Sequence, residues 1–243
     1  MVTVARSVLQ ALNASTEMLV ALEAGASDLL RLGCIPAASS GLLRQSLPML
    51  LQAHPGLQVE LVEENSAHLL PELAAGRLDA VLCRGPQGLA AHWRFELMLP
   101  DTPVVIAHPK HPLALGSTLA ISALKQALWI LPPRGMGVRD FYDQLWAEES
   151  VAPPLYPLVT TALPVILDVM RTARALSLVP RSLAVSLVEW GLVKILPVTL
   201  PELPAAALEG LGLVTRNTPP SKALNALRAL LSAGRMDLSN MPQ

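Results

Sequence analysis

The chain has 243 residues, 52% of them hydrophobic, and 18 Lys and Arg against 19 Asp and Glu leave a formal net charge of −1. A chain of this size and apolar content buries a core, in one large or two modest domains, and without a basic excess it has no overall attraction for a nucleic-acid backbone. No apolar run of about 18 residues and no leader-like N-terminus occur, so a cytoplasmic protein without a membrane span is expected, and two cysteines, Cys34 and Cys83, are too few for a disulfide scaffold.

In chain order, Val8, Leu9, Leu12, Met18, Leu19, Ala21 and Leu22 predict a helix that ends near Gly25. Such a helix packs either on another subunit or back on its own domain. Leu30 to Ile35 is a short apolar run bounded by Gly33 and Pro36, which suits a strand buried on both faces. Leu42, Leu43, Leu47, Leu50 and Leu51 recur at helical spacing until Pro55 and Gly56 break the pattern. Leu57, Val59 and Leu61 predict a second strand, running to Glu63 and Glu64. Ser66 is placed to cap a helix carrying Leu69, Leu70 and Leu73, with Gly76 at its left-handed end. Leu78 to Cys83 is a third strand. Short right-handed crossovers put the first strand between the second and third.

A second half begins near residue 101. Thr102 to Ala107 predicts a strand, and the prolines of His108-Pro109-Lys110-His111-Pro112 are expected to forbid helix up to Ala114. Ile121 to Gln126 reads as a short helix, Leu128 to Leu131 as a strand, and Pro132 to Gly137 as a loop feeding a helix from Val138 to Glu149. Pro153, Pro154 and Pro157 mark an exposed connection before Val159. Helix is expected over 163–174, strand over 176–179, helix over 180–191 and strand over 193–196. A Pro-rich loop over 197–204, a strand over 211–215 and an amphipathic helix over 221–233 complete the chain.

The chemistry legible in these residues is that of binding. A parallel sheet collects its strand ends around a crevice, and the loop from Pro36 through Ala37, Ala38, Ser39 and Ser40 meets the start of a helix, where backbone N–H groups favour an anion. Ser39 and Ser40 are equally read as helix-capping hydroxyls. Arg84 follows the third strand at the same edge, as an effector contact or as one half of an ordinary salt bridge. His108 and His111 lack the Cys, Asp or Glu neighbours of a metal site. Cys34 and Cys83 sit near the ends of neighbouring strands, a redox pair by position or two small buried apolar groups by habit. Trp93, Trp129, Trp146 and Trp190 are read as core or interface anchors. No nucleophile elbow, phosphate loop or paired carboxylate set points to catalysis, and no enzyme activity or cofactor is expected.

Five segments in order carry a resemblance: LRLG at 30–33, HPGLQVEL at 54–61, LPELAAGRLDAVL at 70–82, HPLA at 111–114 and the stretch ending LSLVPRSLA at 176–184. With them, residues 29–235 resemble the effector-binding region of a LysR-type transcriptional regulator, and the preceding helix resembles that family's linker helix. LWILPPRGMGVR and the GLVTR strand at 212–216 are closest to the branch with regulators of sugar and aromatic-acid catabolism. The resemblance implies an α/β fold like the type 2 periplasmic binding proteins, with two Rossmann-like lobes joined by two crossover strands near 102–107 and 210–216 and the effector between the lobes. It implies a linker and dimerisation helix over 1–28, lobe I over 29–104 and 214–243, and lobe II over 105–213. It also implies a DNA-reading winged helix-turn-helix that this sequence lacks, so the chain is expected to be a fragment that senses without reading, dimeric or tetrameric and without membrane contact. A small-molecule effector is its expected partner.

The resemblance further implies which residues touch the effector. They are Pro36, Ala37, Ser39 and Ser40 in the first loop, with Arg84 at the same edge. Arg134 and Gly135 lie in a loop that faces them in the family, and Thr160 and Thr161 in its other cleft loop. Relatives place a hydroxyl near the position of Ala37, whereas here the hydroxyls come later. Arg134 is a bidentate partner for a carboxylate or a solvated surface arginine; the threonines are effector contacts or caps of the following helix. Relatives carry two glycines where this chain has Ala173, Arg174 and Ala175. A transport receptor with the same fold is the alternative reading.

Overall fold

The computed structural model describes residues 28–86, 88–89, 91–116, 118–201 and 209–238. The expected linker helix therefore falls outside the described residues, apart from Asp28, as does most of the Pro-rich loop after Pro201. The chain forms two compact units, one running up to Pro100 and resuming at Gly210, the other spanning Asp101–Glu209.

The first unit is built on a five-stranded sheet in the order β2-β1-β3-β10-β4. Strand β1 (Asp28–Cys34) lies parallel to β2 (Leu57–Glu63) and to β3 (Ala80–Arg84), as the crossover rule requires. Its near-continuous apolar run is buried because both faces are covered. On one face Leu30 and Leu32 meet Leu43 and Leu50 of the first helical stretch and Leu224, Leu227 and Leu231 of the last helix. On the other, Leu69 and Leu73 pack on Val81, Cys83 and Val214. Gly33 allows this second layer to sit close, since a Cβ there would lie 2.8 Å from the side chains of Leu69 and Leu78.

The helix after β1 begins as α1 (Pro36–Ala38), passes through a π turn (Ser39–Leu43) and continues as α2 (Arg44–Ala53). Helix α3 (Ser66–Ala74) is capped by Asn65, not by Ser66 as expected, because the Asn65 carboxamide oxygen accepts the His68 N–H at 3.1 Å. Gly76 takes the left-handed conformation expected of it, φ 74°. Strand β4 (Trp93–Leu99), to which the sequence reading gives no element, pairs antiparallel with β10 (Leu211–Arg216), and β10 pairs antiparallel with β3.

The second unit carries β5 (Pro103–Ala107), all five residues buried, between β8 (Ser177–Pro180) and β9 (Lys194–Ile195), both antiparallel to it. A second pair, β6 (Trp129–Leu131) and β7 (Leu155–Val159), is parallel. The prolines expected to make 153–158 an exposed connection thus flank and enter a strand. Pro157 is tolerated because β7 pairs on one side alone. Proline also fails to exclude helix after His111: Pro112–Leu115 is a 3₁₀ turn with Pro112 at its first position, where the missing N–H costs nothing. A second 3₁₀ turn, Ile121–Leu124, replaces the expected helix to Gln126. Helix α4 (Gly137–Leu145) stops short of the expected Glu149; α5 (Leu163–Thr172) and α6 (Arg181–Glu189) follow, and α7 (Lys222–Leu238) closes the first unit. Trp129, Tyr142 and Trp146 form an edge-on aromatic chain in one core, with centroids 5.1 and 6.4 Å apart. Trp190, expected as a core or interface anchor, lies outside the core and is 60% exposed.

Candidate functional site

In the first unit, β1, β2 and β3 run in parallel, so their C-terminal ends share one sheet edge, with Cys34 opposite Glu63 on one side and Leu82 on the other. That edge brings together Pro36, Ala37, Ser39, Ser40 and Arg84 of the sequence prediction. The backbone leaves β1 through Ile35, whose N–H donates to the Leu82 carbonyl at 3.1 Å, and turns at once into helix at Pro36. Pro36 has no N–H, while Ala38 and Ser39 donate to the Ile35 carbonyl at 2.8 and 3.0 Å. The Ala37 N–H is left as the donor of this turn that no described carbonyl takes up. Ser39 and Ser40 lie inside the π turn, an irregularity that recurs at functional sites.

The sequence reading missed the partner of Ser39. Its Oγ is hydrogen-bonded to the Glu63 carboxylate and sits 3.1 Å from the Pro36 carbonyl, so its single proton serves two acceptors. Ser39 is therefore not a cap of its own helix; the cap residue is Ile35, without a side-chain bond. Glu63 reads in the sequence as the polar end of an edge strand, and no spacing in the chain announces a serine 24 positions earlier in contact with it. The neighbouring Glu64 turns to its own loop, accepting from the backbone and side chain of Asn65 at 2.9 and 3.0 Å. Arg84 ends β3 opposite Leu211 of β10.

The cysteines are separated by the sheet itself. Cys34 packs in the core on one face and Cys83 in the core on the other, which removes the redox pair from consideration. Burial, and then the charge of Glu63, push the Cys34 thiol up to about 12; burial alone brings Cys83 to about 12. Both thiols keep their protons at neutral pH.

In the second unit the parallel pairing of β6 and β7 sets two further predicted loops side by side. The Thr160 N–H donates to the Leu131 carbonyl at 3.4 Å, tying the loop of Thr160 and Thr161 to the strand end that leads to Arg134 and Gly135. Gly135 has φ 83°, a conformation that L side chains rarely adopt, and Arg134 is exposed. The Thr160 hydroxyl accepts the Ala162 N–H at 3.0 Å, so it holds the loop before α5 in addition to facing solvent. A residue the sequence reading did not single out supports the Arg134 loop from within. Arg139, one turn into α4, is buried, with Nε donating to Asp143 Oδ1 at 2.9 Å and Nη1 reaching the Pro132 carbonyl at 3.5 Å. Its signal was the Arg-to-Asp spacing of four on one helix face.

Among the described residues no group of three or more His, Cys, Asp and Glu could hold a metal ion, and no helix is long and apolar enough to cross a membrane. His111 spends both ring nitrogens on the backbone, at Leu113 and Arg174.

A parallel-stranded edge with paired loops in each of two α/β units is the arrangement of a small-molecule binding protein. The chain matches the LysR substrate binding domain over residues 23–235 and belongs to that family. It is similar to the HTH-type transcriptional regulator TtuA of Agrobacterium vitis, 34% identical over 108 residues that make up 44% of this chain and 36% of that protein. Its fold is that of LysR effector-binding domains, like the type 2 periplasmic binding proteins. The BenM effector-binding domain with benzoate superimposes with a TM-score of 0.67 at 18% identity, over 90% of this chain and 96% of that one. The effector-binding domain of QuiR with shikimate gives 0.63 at 17%, over 86% and 97%. The matches span about a third to a half of the first curated relatives' length.

Proposed function

We propose that this chain is the sensing region of a transcription regulator: it binds a small organic acid through the strand-end loops of its two units, and the bound state alters subunit packing and so DNA binding by the intact protein. Residues 1–28 act in this reading as the linker and dimerisation helix, followed by lobe I over 29–104 and 214–243 and lobe II over 105–213. The chain works as a homo-oligomer in the cytoplasm and turns over no substrate. The observation that carries the reading is the adjacency of the Arg134–Gly135 and Thr160–Thr161 loops at the ends of two parallel strands, in a chain of a family whose solved neighbours hold carboxylates, benzoate and shikimate.

Arg134 is the carboxylate partner in this reading, with Thr160 and Thr161 beside it and Pro36, Ala37, Ser39, Ser40 and Arg84 on the other unit. The test is a thermal-shift screen against aromatic acids, ring-opened dicarboxylates, sugar acids and neutral sugars, followed by calorimetry of the hits. A ligand at a hundred times its Kd adds about 2.7 kcal/mol of stability, a shift of several degrees for a chain of this size. Arg134→Ala should then weaken acid binding by about 1.5–3 kcal/mol, the value of a charge-assisted hydrogen bond. Unchanged affinity removes Arg134 from the site, and a screen in which only neutral sugars bind overturns the acid.

A further inference from the structure

We infer that Arg139 is the positioning residue of the Arg134 loop: oriented from within the core by Asp143, its guanidinium fixes the loop's buried end and so sets effector affinity without touching the effector. This rests on the proposal above that Arg134 receives the effector's carboxylate, and it names the residue through which α4 governs that contact.

Pro132 and Pro133 carry no N–H, so the chain leaves β6 with acceptors alone. The Pro132 carbonyl is buried, and a buried carbonyl needs a donor. Arg139 Nη1 reaches it at 3.5 Å, while the Arg139 backbone N–H donates to the Met136 carbonyl at 2.7 Å. One residue thus ties both ends of the segment that carries Arg134 and Gly135. Between those ties the segment is exposed from Pro133 to Met136, and beyond its chain neighbours no described atom lies within 4 Å of where a Gly135 Cβ would stand. With nothing packed on the tip, its place is decided at its ends.

The Arg139 side chain is 8% exposed, and its ion-pair partner Asp143, at 2.9 Å, is 39% exposed. An arginine buried for one long carbonyl bond and one half-exposed carboxylate adds little to core stability, because desolvation of the cation offsets the pairing. What the arrangement provides is direction. Nε and Nη1 lie in one rigid plane, so the carboxylate that holds the first aims the second.

The experiment titrates 4-hydroxybenzoate, terephthalate, D-gluconate and D-glucarate calorimetrically into wild type, and each acid that binds into Arg139→Met, Asp143→Ala, Arg134→Ala and the two double variants with Arg134→Ala, at a temperature where circular dichroism shows them folded. Arg139→Met keeps the apolar stem; should it fail to fold, Asp143→Ala, altered at a half-exposed carboxylate, carries the test. Both single variants should weaken binding roughly three- to tenfold, the cost of ordering a long side chain and its loop on binding. Neither should weaken it further once Arg134 is alanine, since groups acting through one contact are not additive. The sign at Asp143 separates positioning from charge: loss of a negative charge by itself tightens an acid, whereas release of Arg139 weakens it. Asp143→Ala binding as tightly as wild type or more tightly, or Arg139→Met losing the same factor with and without Arg134, overturns this inference and leaves the sensing function standing. So does a lower unfolding midpoint with unchanged affinity, which makes Arg139 a stabilising residue alone. If no acid binds wild type, or Arg134→Ala leaves affinity unchanged, the reading of the Arg134 site falls and this inference falls with it.

Discussion

His111 closes the turn that Arg174 opens. The Leu113 N–H donates to His111 Nδ1 at 3.1 Å, so the ring proton resides on Nε2, which donates to the Arg174 carbonyl at 3.1 Å. Arg174 itself has φ 52°, the one non-glycine positive φ among the described residues. A left-handed non-glycine residue stores about 1 kcal/mol or more, and the His111 bond across 63 positions helps to hold it there.

Replacing Arg174 should therefore separate side chains by their backbone tolerance. Arg174→Gly removes the strain and adds unfolded-state entropy of nearly the same size, so urea midpoints should stay equal or rise by less than about 1 kcal/mol of stability. Arg174→Val should lose about 1–2 kcal/mol, since a β-branched residue is a genuine outlier at this φ. Equal stability of the two variants would refute the strain.

His111 should give the fold a pH dependence of known sign. Burial holds its imidazole below the ordinary 6.5, and the charges of Arg174 and His108 act the same way, against the carbonyl bond that favours the proton. The unfolded chain therefore takes up its proton first as pH falls below 6.5, and stability drops until the folded state is also protonated; above that range His111 contributes no slope. Denaturation from about pH 7 to about pH 5 should show a steeper loss for wild type than for His111→Gln. Parallel curves would count against the buried neutral ring. Glu64 and Glu72 have carboxyls held below 4.5 by hydrogen bonds from Asn65 and Arg77, so their contributions fade at lower pH.

How much of this was legible in the sequence depends on the distance over which each feature is decided. Strands β1 to β3 and their order were readable because continuous apolar runs, glycine and proline breakers and a crossover rule all act locally. Strand β4 alternates Trp93, Phe95 and Leu97 with Arg94 and Glu96, a period-2 signal, yet its place in the sheet is fixed by β10, more than a hundred residues on. Strand β7 was hidden by Pro157, which an edge position accommodates. At the site, the loops of Arg134 and Thr160 were readable one by one from strand and turn signals. The Ser39–Glu63 bond was not, because a glutamate at the end of an edge strand reads as solvated until the register places Cys34 beside it.

Asp101 is another contact made at long range. Its carboxylate accepts the Ser182 N–H at 3.1 Å and the Ser182 hydroxyl at 2.9 Å, while the Thr102 carbonyl accepts the Arg181 N–H at 2.8 Å, so the residues that enter the second unit cap helix α6 from 81 positions away. Pro180, the cap residue by position, has no side-chain acceptor to offer. Asp101→Ala should cost about 2 kcal/mol in urea denaturation, from a lost cap and two buried donors left unpaired. Asp101→Asn keeps one acceptor oxygen and should cost about half as much; a neutral Asp101→Ala would show that α6 needs no such cap.

Tyr142 presents the opposite case, a polar atom whose removal should help. Its side chain is 3% exposed in the core with Trp129 and Trp146, its hydroxyl has no hydrogen-bond partner among the described residues, and burial pushes its pKa up to about 12. The ring fills the core and the hydroxyl is desolvated without compensation, which costs about 1–3 kcal/mol. Tyr142→Phe keeps the ring and should be neutral or stabilising by up to about 1 kcal/mol, whereas Tyr142→Ala should lose about 3–5 kcal/mol through the cavity it leaves. Thermal and urea unfolding of both variants decides it: a loss above about 1 kcal/mol in Tyr142→Phe would mean that the hydroxyl is bonded within the core, for which a buried water is the natural partner.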